Sequence, residues 1–150
     1  LGGFMDDIIA STMNYWEKKQ VNCARSAACG LLDFYQVKDS QILYKTFTTF
    51  GGGIGEGTIC GGLIGALGAL NLILAERGLN DKEISDKAKD LKTLFRREFD
   101  TLECRTLMDE FRTKDGTIDF SNPERRKKCT HAVITAIKCV QPIVDGESSM

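Results

Sequence analysis

The sequence predicts an all-α fold: a single-domain bundle of about five to seven helices around a central, buried, Gly/Ala-rich helix. Three observations lead there. Apolar residues recur at three- and four-residue spacing from one end of the chain to the other, no segment carries convincing strand alternation, and the longest apolar run, Ile59 to Ala75, is rich in small residues. That run is broken by Asn71 and is shorter than the roughly 20 residues a bilayer span requires, so it reads as a buried helix and no membrane span is expected.

The elements follow in order. Met5, Ile8, Ile9, Thr12, Met13 and Trp16 form one side of an amphipathic first helix. Asn22 is the expected N-cap of a second helix reaching about Tyr35, with Cys23, Ala27, Gly30, Leu31 and Phe34 along one face. A third helix is expected over about Asp39 to Phe50, stopped by Gly51 to Gly53. The segment Phe50 to Gly57 is the main loop, after which Thr58 is placed to cap the central helix, which runs to about Arg77 before Gly78 ends it. A fifth helix begins near Asp81 and turns Ile84, Ala88, Leu91, Phe95, Phe99 and Leu102 inward. Cys104, Leu107, Met108 and Phe111 continue that spacing in a shorter helix. Asn122-Pro123 opens the last helix as a cap followed by a first-turn proline, and it should run to about Val140 with Pro142 beyond it. A domain over residues 1–144 with a flexible tail over 145–150 is the expected organisation.

Composition narrows the function classes. With 42% hydrophobic and 27% charged residues the chain can build its own core without disulfides. A net charge of −1 leaves no excess positive potential for tracking phosphates, so no nucleic-acid partner is expected. The short basic run Arg125 to Lys128 reads as a solvated helix face. No basic segment leads into an apolar one near the start, which suits a cytoplasmic protein. The chain does not begin with Met, so export after removal of a leader stays open.

Six cysteines in 150 residues is rich usage but sparse for a small disulfide scaffold, which brings metal or redox chemistry forward. Four of them, Cys23, Cys60, Cys104 and Cys129, fall on an apolar or small-residue face of a predicted helix although 25 to 44 residues separate successive members. Cys29 is turned about 120° from Cys23 and Cys139 about 80° from Cys129 around their helices, so neither joins its neighbour's site. Cys60, in the first turn after a glycine loop, has the strongest case for a thiolate, because unpaired amides and the helix dipole favour the anion there. Four gathered thiolates repel one another, so a cation or cluster, a disulfide, or protonation must resolve the charge. Iron–sulfur clusters and zinc both do this with four thiolates, and spacing alone leaves the metal open.

Other motifs fail on inspection. No Cys-x-x-Cys pair is present, and the absence of Cys-x-x-Cys-His removes covalent c-type haem. His131 lies about 200° around the helix from Cys129 and reads as a surface or packing residue. The glycine loop fits neither the dinucleotide fingerprint nor the phosphate loop. Phe111 to Asn122 lacks the oxygen ligands and final bidentate Glu of a calcium loop. Gly61, Gly65, Gly68 and Ala69 give the central helix a narrow side, which reads first as tight packing within the bundle and second as a dimer interface or a seat for a planar group.

The series Asn22-Cys23-Ala24, Phe50 to Gly65 (FGGGIGEGTICGGLIG), Cys104 and Cys129 resembles the C-GCAxxG-C-C family of redox-active proteins over about Met5 to Val140. Gly62 stands where the family's Cys-Gly-Ala-x-x-Gly motif has alanine, a small-for-small departure. The four cysteines of the family pattern map onto Cys23, Cys60, Cys104 and Cys129. The family is also similar to the non-haem part of split-Soret cytochromes, whose relatives are associated with iron–sulfur binding and dimers, so the resemblance implies redox or electron-transfer work and allows a homodimer. The leading expectation is a non-enzymatic electron carrier or redox sensor that binds an iron–sulfur cluster through those four cysteines and serves an unidentified redox partner. The alternative is a thiol–disulfide oxidoreductase with Cys60 as nucleophile and one of the other three as resolving thiol. A structural zinc or helical interaction module stands third.

Overall fold

A computed structural model describes residues 2–38 and 40–146, the side chains of residues 2–4 excepted. Among the described residues there are seven α-helices and no strand. They are α1 (Gly2–Met13), α2 (Cys23–Phe34), α3 (Ser40–Thr46), α4 (Gly61–Glu76), α5 (Asp81–Phe99), α6 (Cys104–Leu107) and α7 (Pro123–Asp145). None of them is long and apolar enough to cross a membrane.

The central helix is α4. Leu63, Ala66, Leu70, Ile73 and Leu74 are buried along it, joined by Leu31 and Leu32 of α2, Leu91 and Phe95 of α5, and Val133, Ile137 and Val140 of α7. Its glycines set how closely neighbours approach. A β-carbon on Gly65 would stand 2.1 Å from the Ala24 carbonyl oxygen, and one on Gly68 would stand 2.7 Å from the Phe47 ring. The narrow side is therefore filled within the bundle by α2 and by the residues that follow α3. This close approach repays the cost of interior glycine.

Caps behave largely as local chemistry dictates. The Asn22 side chain accepts from the Arg25 amide at 2.8 Å, Asn80 and Glu83 form a reciprocal capping box, and Asn122 accepts from the Glu124 amide ahead of Pro123. Asn22 also donates to the Phe47 and Thr48 carbonyls at 2.9 and 3.1 Å, tying the start of α2 to the turn after α3.

Several boundaries differ from expectation: α5 stops at Phe99, where Asp100 turns left-handed, so that Leu102 is buried from the segment beyond it, and the expected helix from Cys104 to Phe111 is α6 followed by a 3-10 turn over Asp109–Phe111. The α1 stripe holds, with Ile8, Thr12 and Trp16 buried, but the α-helix ends at Met13 and widens into a π-helical turn over Asn14–Lys18. The third helix is shorter than expected, because the Thr46 and Thr48 hydroxyls bond the carbonyls of Ile42 and Lys45 and Asn22 takes those of Phe47 and Thr48; the expected start at Asp39 lies outside the described residues. Thr58 does not cap α4. Its hydroxyl and amide both donate to the Gly53 carbonyl, closing the glycine loop, and the N-cap position passes to Cys60. Finally, α7 runs through Pro142 to Asp145. The carbonyl that proline leaves without a partner belongs to exposed Lys138, where water can serve it, while buried Ile143 and Val144 and the Arg77 bond to the Val144 carbonyl hold the last turn. Of the expected tail, residues 147–150 lie outside the described residues.

Candidate functional site

Three of the helix starts deliver cysteines. Cys23 is the first residue of α2, Cys60 the N-cap of α4, and Cys104 the first residue of α6, while Cys129 sits in the second turn of α7. A short stitch brings two of these together. The Cys60 amide donates to the Leu102 carbonyl at 2.7 Å and the Cys104 amide to the Thr58 carbonyl at 2.6 Å, making an isolated antiparallel bridge between Ile59 and Glu103. The glycine loop folds over the pair. Gly52, Gly53, Ile54 and Gly55 are consecutively left-handed, and a β-carbon on Gly53 would lie 2.8 Å from Cβ of Cys104. Ile54 takes that conformation despite its branched β-carbon, a costly geometry for such a residue.

All four thiols line one cavity of about 800 Å³. They also sense one another. Burial pushes Cys60 up to about 12, with Cys23 and Cys104 adding to the rise and the Leu63 and Gly62 amides opposing it. Cys104 is pushed up to about 11 by burial and by Cys129 and Cys23. Cys23 is raised by burial first and also by Cys129, against the pull of the Gly52 amide; Cys129 is raised by burial against Arg125 and Arg126. The expected thiolate at Cys60 is thus corrected. Its sulfur makes no capping hydrogen bond, and loss of water outweighs the nearby amides. Without a cation, this site holds thiols. Among the described residues, no three His, Cys, Asp or Glu side chains are grouped so as to hold a metal ion.

Cys29 and Cys139 stand apart from this cavity. Cys29 is buried with its thiol toward the Ser40 carbonyl, and Cys139 lies on α7 within the influence of Glu98 and Lys138. His131 pairs with Glu98 at 2.9 Å and packs on Phe99, outside the cavity lining.

The chain matches a family model described as "Putative redox-active protein (C_GCAxxG_C_C)" over residues 21–143. The chain belongs to the C_GCAxxG_C_C family. No curated protein and no solved structure matches it. The cysteines and glycines of the C_GCAxxG_C_C pattern acquire a physical reason here. A β-carbon on Gly61 would meet the Cys23 sulfur and one on Gly65 would meet the α2 backbone, whereas Gly62 faces Val133 at 3.2 Å and leaves room for a small side chain.

Sequence reasoning missed the cationic wall of this cavity. Arg125 and Arg126, read as part of a solvated run, are half-buried and line it. Arg125 donates to the Cys129 sulfur at 3.2 Å, and Arg126 donates to the Trp16 carbonyl at 3.0 Å while covering the Trp16 ring. Only Lys127 and Lys128 of the run make conventional surface pairs, with Glu124 and Glu110. The signal was available, since Arg125 and Cys129 are four apart and so share a helix face.

Proposed function

We propose that this redox-active protein holds an iron–sulfur cluster through Cys23, Cys60, Cys104 and Cys129 and acts as an electron carrier or redox sensor. The observation that carries the reading is that four separate elements each direct one thiol to the wall of a single 800 Å³ cavity. A lone zinc ion draws its sulfurs to about 2.3 Å from one point. Sulfurs distributed around the wall of a cavity suit a polynuclear group better.

The surroundings fit such a group. Buried Arg125 Nε has no hydrogen-bond partner, so a donor remains unspent beside the thiols. Four thiolates need positive charge nearby, and Arg125 and Arg126 already pull Cys129 toward the anion. Gly53 and Gly61 leave space that any side chain would take from Cys104 and Cys23. When bound, the cluster supplies one-electron transfer. The chain's own residues bind it, exclude water through the glycine loop and the core beneath, and offset its charge. A partner protein supplies or accepts the electron.

The test is an anaerobic ultraviolet–visible spectrum with iron, sulfide and zinc analysis of the wild type and Cys60→Ser. Visible charge-transfer bands with iron and acid-labile sulfide, lost in the variant, support the reading. A colourless, metal-free protein after anaerobic reconstitution removes it and brings forward thiol–disulfide chemistry, which differential alkylation with and without reductant would then reveal.

A further inference from the structure

Arg125 is held from three directions and left open on a fourth. One terminal nitrogen donates to the Cys129 sulfur at 3.2 Å, the other to the Phe120 carbonyl at 3.0 Å, and the Phe120 ring lies 5.0 Å from the guanidinium carbon. The remaining donor, Nε, is buried and without a partner. Among the described residues neither Arg125 nor Arg126 forms an ion pair with a carboxylate. A half-buried guanidinium lacking a counter-ion is costly unless an anion reaches it, and the group nearest to becoming one is the cysteine sulfur it already touches.

Arg126 differs. Its guanidinium covers Trp16 and bonds that residue's carbonyl, so its orientation is spent on packing. Arg125 is fixed to Cys129 by helix geometry, and its aromatic and carbonyl contacts aim it without neutralising it.

We propose that Arg125 hydrogen-bonds the resident iron–sulfur group at its Cys129 corner and raises its reduction potential, an assignment that rests on the cluster reading above. Reduction adds one negative charge to the cluster. A fixed cation donating N–H to a ligand sulfur stabilises the reduced form more than the oxidised form, so the potential rises. The unspent Nε–H offers a second donor to a sulfur acceptor of the same group.

The experiment compares anaerobically reconstituted wild type, Arg125→Gln, Arg125→Lys and Lys127→Gln by redox titration followed by electron paramagnetic resonance. Lys127 is the charge control, being exposed on the same helix and paired with Glu124. Arg125→Gln is expected at a more negative potential than wild type, Arg125→Lys between the two, and Lys127→Gln at the wild-type value. A loaded Arg125→Gln protein with the wild-type potential overturns the assignment and leaves the cluster reading standing. A wild type that takes up no iron and sulfide overturns both. Should Arg125→Gln fail to fold or load, Arg125→Lys and Phe120→Leu decide: Phe120 is 56% exposed and its loss frees the guanidinium. Wild-type potentials in both would overturn the assignment.

Discussion

A β-carbon built on Gly61 would lie 2.3 Å from the Cys23 sulfur and 2.9 Å from the Phe50 carbonyl oxygen. The first residue of the central helix is thus a glycine because a sulfur from another helix occupies the place of its side chain. Gly61→Ala must push that sulfur away, since the backbone at Phe50 cannot yield as readily. On the cluster reading the expected outcome is loss of metal uptake, together with about 1–3 kcal/mol of destabilisation, the usual range for overpacking. Iron analysis and urea denaturation of the same preparation would check both halves.

Gly62→Ala should behave oppositely, although it lies one residue away. The new methyl would meet Val133 at 3.2 to 3.3 Å, a tight contact that a small shift relieves. Exchanging glycine for alanine inside a helix returns about 1 kcal/mol. A stability change within about 1 kcal/mol and undiminished metal uptake are expected, and a collapse of either would mean that the α4–α7 contact is more rigid than it looks.

The thiols also impose a pH dependence on the reduced, metal-free protein. Cysteines ordinarily ionise near 9.0, whereas burial moves Cys104 to about 11 and Cys60 to about 12. Between those values the unfolded chain has released protons that the folded chain keeps, so raising the pH favours unfolding. Stability from these groups is fully present below about pH 9 and is lost as pH rises through 11 and 12. Burial of Cys29 and Cys139 acts in the same direction. Denaturation in reductant at stepped alkaline pH should show the decline, with a shallower slope in Cys60→Ser. On the cluster reading proposed above, metal uptake should have the reverse sign, strengthening with pH because the ligands must lose protons.

Trp16 provides an internal reporter. It is the one tryptophan of the chain, buried in the cavity lining beneath Arg126, with its indole N–H on the Thr130 hydroxyl at 2.7 Å. A coloured group placed in that cavity should quench its fluorescence several-fold, in step with iron incorporation. Unchanged emission at full iron content would locate the metal elsewhere.

The helices were legible because their signals are local. Asn22 and Asn122-Pro123 cap where short-range chemistry places them, and apolar periodicity marks the buried faces. Cys23, Cys60, Cys104 and Cys129, which the sequence singles out by their helical faces, all line one cavity. What escaped depends on distant chain. Thr58 resembles a cap, yet its donors go to Gly53, and the stitch between Ile59 and Glu103 is too short to leave an alternating pattern. Pro142 resembles a terminator until Ile143 and Val144 find a core to enter. Arg125 looked solvated because charge runs usually are, and only the tertiary cavity turns it toward sulfur.

The distribution of the four cysteines has a consequence for how the protein is made. Cys23 and Cys129 are 106 residues apart, and the others lie between them on separate elements. On a ribosome, three sulfurs emerge long before the fourth and before the arginine that accompanies it. Any occupant requiring all four can be held only once the first half of α7 has emerged. Until then the cavity has no complete wall, and a chain lacking α7 would lack both Cys129 and the Arg125 that donates to it.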